Sequence, residues 1–205
     1  ILRWNKRIDH HIEYQQSKNW SPVAGDGELT NKTLVILGYG GIGRQVAKLG
    51  KVFGMRVTGV RRNPQDDEYA DEVLGLNQFE KLLPLTDYLV LALPDSSKTR
   101  DIINADILEK LNSSAMLINV GRGTAINEED LTNALNDGKI AAAALDTTKV
   151  EPLDANSSLW TAKNCFISAH DSAHSLLSLE RAFELFFQNL KNIKDGNQIV
   201  NLYSE

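Results

Sequence analysis

A buried-looking run, Thr33–Leu37, leads without a break into Gly38-Tyr39-Gly40-Gly41-Ile42-Gly43. The spacing is G-x-G-x-x-G. Ile42, Val46, Leu49, Val52 and Phe53 then recur at helical steps. A strand that turns through glycines straight into a helix leaves few architectures open. Gly38 permits the tight turn, Gly40 offers no Cβ to obstruct a pyrophosphate, and Gly43 lets helix and strand come close. The helix N-terminus adds free N–H groups and a positive dipole end. The hexapeptide alone would also suit a turn that binds nothing. The strand before it and the helix after it make it a dinucleotide fingerprint, with Tyr39, Gly41 and Ile42 inside the cradle.

The alternation continues along the chain. Residues 1–19 read as a mostly polar helix and residues 21–31 as a loop. Gly54 stops the fingerprint helix, and residues 55–60 form a second strand. Further strands are expected at 88–93, 116–120, 140–145 and 165–168. Asn104 can cap a helix through Leu111, and Asn127 one that closes at Gly138. A last helix spans about 176–194, with Leu179, Ala182, Phe183, Phe186, Leu190 and Ile193 on one face as core or interface packing. Strand–helix alternation at this spacing implies an α/β fold with a doubly wound parallel sheet. Ligands then bind at the C-terminal ends of the strands.

Composition removes other classes. The 205 residues carry 22 Lys+Arg against 27 Asp+Glu, a net charge of −5, with no basic block to neutralise phosphates. That argues against nucleic acid as a partner. The apolar runs are too short to span a bilayer. The one cysteine, Cys165, allows no intrachain disulfide and no multi-Cys metal site, and is expected in the core. Residues 1–20 are too charged for a signal peptide. A reducing, cytoplasmic setting is the expectation. The chain starts without Met on a periodic pattern, as a piece entered partway through a helix would.

The second strand ends in Arg61 and Arg62 rather than in an acid. A carboxylate there would accept from the ribose hydroxyls of NAD, whereas a guanidinium pairs with a 2′-phosphate. NADP(H) is therefore the expected cofactor in preference to NAD(H).

Three further segments carry chemistry, each past a strand end. Arg122 stands between Gly121 and Gly123, Asp146 and Glu151 follow the next strand, and His170 follows the last. With GYGGIG, the NVGRG run (119–123), ALDTTKVEPL (144–153), SLW (158–160) and SAH (168–170), the chain resembles the D-isomer-specific 2-hydroxyacid dehydrogenases, a family that includes glyoxylate/hydroxypyruvate reductases. The likeness runs from Ile1 to about Leu202. It implies a Rossmann-type domain and hydride transfer between NAD(P)H and a small 2-oxo or 2-hydroxy acid. Arg122 would bind the substrate carboxylate and oxo oxygen, His170 would supply the proton, and Glu151 would pair with and orient His170. Asp146 would sit by the nicotinamide carboxamide. Leu93, Pro94 and Thr99 would reach the cofactor from the loop after the third strand, and Val120 and Gly121 would line the nicotinamide beside Arg122. His10, His11 and His174 lack such context.

Departures from the family pattern are Ala169 in place of Pro, Asp171 after the histidine, Thr147 in place of Val, and Arg61 in place of the strand-end acid. The resemblance further implies a hinge helix at 1–20, a nucleotide domain at 21–175, and a C-terminal helix at 176–205 returning toward a substrate domain that is mostly absent. Such a piece would bind cofactor yet turn over little. A homodimer through the nucleotide domain is expected. The alternative is a cofactor-sensing, corepressor-like regulator of the same family.

Overall fold

Short aliphatic runs form seven strands: β1 (Thr33–Leu37), β2 (Arg56–Val60), β3 (Glu72–Leu74), β4 (Tyr88–Leu91), β5 (Met116–Asn119), β6 (Ala142–Leu145) and β7 (Cys165–Ile167). They build one sheet in the order β3-β2-β1-β4-β5-β6-β7, every pairing parallel. The structure is a computed structural model that describes residues 1–23 and 27–201. It divides into two compact units, Ile1–Ala169, which holds the whole sheet, and His170–Glu205. The first unit's helices are α1 (Leu2–Asn5), α2 (Ile8–Gln16), α3 (Gly41–Val52), α4 (Phe79–Leu82), α5 (Ala105–Lys110) and α6 (Glu128–Asn136); the second holds α7 (Ser178–Lys194).

Both faces of the sheet are buried, so the strands read as continuous apolar runs. Along β1, Val35 and Leu37 enter one core with Leu89, Leu91, Leu117 and the α5 and α6 residues Ile107, Leu108, Leu131 and Leu135. Leu34 and Ile36 enter the other with Val57, Tyr88, Val90 and Ala47 of α3. The expected caps hold: Asn104 accepts from Ile107 N–H and Asn127 from Asp130 N–H, each at 3.2 Å. Gly54 and Gly138 end their helices at φ +71°. Among the described residues no helix is long and apolar enough to cross a membrane.

Several expectations change. The helix over 1–19 is broken between α1 and α2, where Arg7 adopts φ 50°. Asn5, buried at the end of α1, donates from Nδ2 to Tyr88 Oη at 2.8 Å, which ties α1 to the sheet while α2 buries nothing. The strand at 88–93 ends at Leu91. A seventh strand, β3, was not expected, because three residues, EVL, show no periodicity. Residues 24–26 of the expected loop and 202–205 of the C-terminal segment lie outside the described residues. On α3 the periodic apolar residues are not the buried ones: Leu49 is 60% and Val52 77% exposed, while Gly43, Ala47 and Gly50 face inward. A Cβ on Gly50 would lie 2.7 Å from Leu34 Cδ2, so the close approach of helix to sheet selects the small residues. On α7, Leu179, Phe183, Phe186, Leu190 and Ile193 are exposed rather than packed in a core.

Cys165 is half-buried rather than fully packed. Burial, and then the Glu128 carboxylate, push its thiol up to about 11. At pH 8 the native thiol is expected to alkylate at least roughly tenfold more slowly than a free cysteine, the scarcer thiolate outweighing its greater nucleophilicity. Equal rates of iodoacetamide labelling, native and unfolded, would contradict this.

Candidate active site

Strand order reverses between β1 and β4, the position at which open α/β sheets bind ligands, in a crevice outside the C-terminal strand ends. On the β1 side Gly38 turns at φ +101°, and the N–H groups of Gly38 and Tyr39 both donate to Val60 O at 3.0 Å. A Cβ on Gly38 would stand 2.5 Å from Ala92 O, so the turn requires glycine for space as well as for φ. α3 starts at Gly41, and Gly40, its N-cap, contributes no side-chain cap. A Cβ on Gly40 or Gly41 would meet nothing within 4 Å. The first turn of α3 thus presents backbone donors to open space, the surface a dinucleotide pyrophosphate needs. Ile42 is exposed beside it.

Tyr39 behaves differently from its glycine neighbours. Its side chain is buried against β2, and its hydroxyl donates to Asp67 at 3.1 Å. Past β2, Arg61 and Arg62 are exposed, and among the described residues neither has an acidic partner within 4 Å. Leu93 and Pro94 continue from β4 along the same rim. Thr99 is engaged in its own loop: its hydroxyl donates to Pro94 O at 2.8 Å and accepts from Ser96 N–H at 3.0 Å. That hydroxyl holds the loop's shape.

The arginine loop follows β5. Asn119, fully buried, clamps it from both ends. Its Oδ1 accepts from Gly121 N–H and its Nδ2 donates to Arg122 O, each at 3.0 Å. Arg122 itself is exposed, and Nη1 donates to Gly121 O at 2.9 Å. A Cβ on Gly121 would lie 2.7 Å from the Leu93 backbone, and one on Gly123 would lie 1.9 Å from the Thr148 carbonyl carbon. The loops after β4, β5 and β6 therefore meet backbone to backbone, and Val120 and Gly121 sit between them.

At the end of β6, Asp146 is buried and accepts from Ser168 Oγ at 2.6 Å, while its N–H donates to Asn119 O. Thr147 is buried beside it, and its hydroxyl has no partner among the described residues. Glu151 accepts from Thr148 N–H at 3.1 Å. His170 opens the second unit, exposed and at φ +54°. Among the described residues no His/Cys/Asp/Glu group could hold a metal ion.

The sequence motif assigns no role to Asn119. Its signal was legible: an amide side chain closing an otherwise apolar strand. Asn119→Ala leaves a buried N–H and a carbonyl without partners, and is expected to cost about 2–4 kcal/mol of stability in urea unfolding. A loss within error of zero would show that the clamp is dispensable.

Residues 1–172 match the family described as D-isomer specific 2-hydroxyacid dehydrogenase, NAD binding domain. The human glyoxylate reductase/hydroxypyruvate reductase is 38% identical over 176 residues, covering 83% of this chain and 53% of that protein. A glyoxylate reductase of Aeropyrum pernix is 34% identical, covering 98% and 63%. A crystal structure of a family protein from Aeromonas salmonicida superposes with a TM-score of 0.88 at 35% identity, covering 99% and 64%. The chain spans less than two thirds of the length of these relatives. It belongs to the D-isomer specific 2-hydroxyacid dehydrogenase family, of which it carries the NAD-binding domain.

Proposed function

We propose that the chain is the cofactor-binding part of an NADP(H)-dependent reductase of small 2-oxo acids. The observation that carries this is the continuous rim of the sheet: an open helix N-terminus for the pyrophosphate, Arg61 and Arg62 beyond β2, and the clamped, exposed Arg122 beyond β5. Relatives support the reading in both respects. The human relative is a glyoxylate reductase/hydroxypyruvate reductase and that of Aeropyrum pernix a glyoxylate reductase. Solved structures from Rhizobium etli and Sinorhizobium meliloti, 26% and 25% identical, are complexes with NADP.

When bound, the reduced nicotinamide supplies the hydride. The chain's own residues do the rest. The α3 N-terminus and the fingerprint backbone hold the pyrophosphate. Arg61 and Arg62 take the 2′-phosphate through charge-assisted bonds. Val120, Gly121 and Asp146 line the nicotinamide. Arg122 binds the substrate carboxylate and stabilises negative charge growing on the oxo oxygen, as a fixed planar donor can. His170 gives that oxygen its proton, and Glu151 orients the histidine. Reduction also needs a second domain to exclude water from the crevice. A homodimer belongs to the same proposal, supported by the exposed Ile42, Leu49 and Val52 on α3.

Titration of the chain with NADPH and NADH, followed by nicotinamide fluorescence, should show NADPH bound more tightly and little reduction of glyoxylate, hydroxypyruvate or pyruvate by these 205 residues. Tighter NADH binding would overturn the cofactor assignment, and brisk turnover would overturn the need for a second domain. Joined to the remaining part that the longer relatives carry, the chain should reduce a 2-oxo acid. Arg122→Ala and His170→Ala should then each lower kcat/KM by roughly a hundredfold or more, with NADPH affinity nearly unchanged. Binding without any turnover in the joined protein would favour the regulator.

A further inference from the structure

The connection from β2 to β3 carries the two arginines assigned to the 2′-phosphate, and it also carries four acids: Asp66, Asp67, Glu68 and Asp71. Left to itself, such a segment would repel a phosphate dianion or would occupy its own arginines. The structure sorts these charges. α3 presents Arg44, Lys48 and Lys51 at steps of four and three, one stripe of the helix. Arg44 Nε donates to Asp67 Oδ2 at 2.6 Å, and Nη2 donates to Glu68 Oε1 at 3.0 Å. Lys51 pairs with Asp71 at 2.6 Å, and Asp71 also accepts from Val57 N–H at 2.7 Å. Arg44 and Lys48 lie over the Tyr69 ring, at 4.6 and 5.4 Å from its centroid.

Asp67 is the centre of the arrangement. Its carboxylate accepts from Arg44, from the Tyr39 hydroxyl at 3.1 Å and from Tyr69 N–H at 3.0 Å. Burial opposes its charge, yet these three donors hold its carboxyl below the usual range. Tyr39 reaches it because β2 has no side chain at Gly59: a Cβ there would lie 2.4 Å from the tyrosine ring. Burial, followed by the bond to Asp67, pushes the Tyr39 phenol up to about 12, so it remains a donor at every physiological pH.

We propose that Tyr39, Arg44 and Asp67 form a clasp that sets cofactor discrimination, making Tyr39 and Arg44 positioning residues for a 2′-phosphorylated dinucleotide. The clasp draws Asp67 and Glu68 onto α3, with Asp71 held by Lys51 beside it, and so keeps these three acids from compensating Arg61 and Arg62. It rests on the NADP(H) reading above. It gives the first variable residue of the glycine fingerprint a task besides lining the cradle: its side chain reports to the adenosine-ribose end.

The experiment measures Kd for NADPH and for NADH by fluorescence, at low and high salt, for the unaltered chain, Arg44→Gln and Tyr39→Phe. Arg44→Gln should raise the NADPH Kd roughly three- to tenfold through an uncompensated carboxylate pair near the phosphate, with NADH changed much less. Added salt should shrink that difference. Tyr39→Phe keeps the ring on Gly59 and should move the NADPH/NADH ratio in the same direction by less. Arg44 is partly exposed, so its loss opens no core cavity, and Tyr39→Phe tests the clasp separately if Arg44→Gln does not fold. An equal loss for both cofactors, or a salt-independent one, would overturn the clasp and leave the NADP(H) reading standing. An unaltered chain that binds NADH as tightly as NADPH would overturn that reading and the clasp with it.

Discussion

At the C-terminal edge of the sheet, backbone meets backbone. The turn after β1 lies against Ala92, the loop after β5 against Leu93, and the same loop lies against Thr148 after β6. Side chains at Gly38, Gly121 or Gly123 would occupy the space of main-chain atoms that have nowhere to go. Hydrogen at these three positions draws separate loops into one rim, and the rim fixes where Arg122 and Asp146 stand. Asn119 completes the constraint, because its amide satisfies both ends of the arginine loop from inside the core.

Polar groups around this rim divide by what they hold. Tyr39, Thr99 and Asn119 all lie in motifs that the sequence associates with a ligand, yet each side chain's resolved bonds run within the protein. Arg61, Arg62 and Arg122 are exposed, and among the described residues none of the three has an acidic partner within 4 Å. Buried donors and acceptors shape the cradle, and cations left at the surface face the anions expected there.

Most of the sheet was legible because parallel strands covered on both faces must be apolar throughout. Thr33–Leu37 and the caps at Asn104 and Asn127 are local signals with local causes. β3 escaped notice because three residues show no period. The buried face of α3 was not legible because packing distance, rather than hydrophobicity, selected Gly43, Ala47 and Gly50. Arg7 broke the first helix at a residue with no breaker chemistry, and the anchor beside it, Asn5 on Tyr88, joins residues 83 apart in sequence. Of the candidate site, the residue types and their places past strand ends were readable. Asn119 stood out as an amide closing an apolar strand, but the two loop ends it joins and the bond from Tyr39 to Asp67 were not readable.

The sequence alone determined the strand–turn–helix, the alternation that demands a parallel sheet, and the chemistry collected at its edge. These depend on spacing and side-chain type, which act over a few residues. The tertiary structure alone decided which face of α3 is buried, which acids Arg44 and Lys51 neutralise, and how closely the rim loops approach. Those outcomes depend on distances between segments that only the packed sheet brings together.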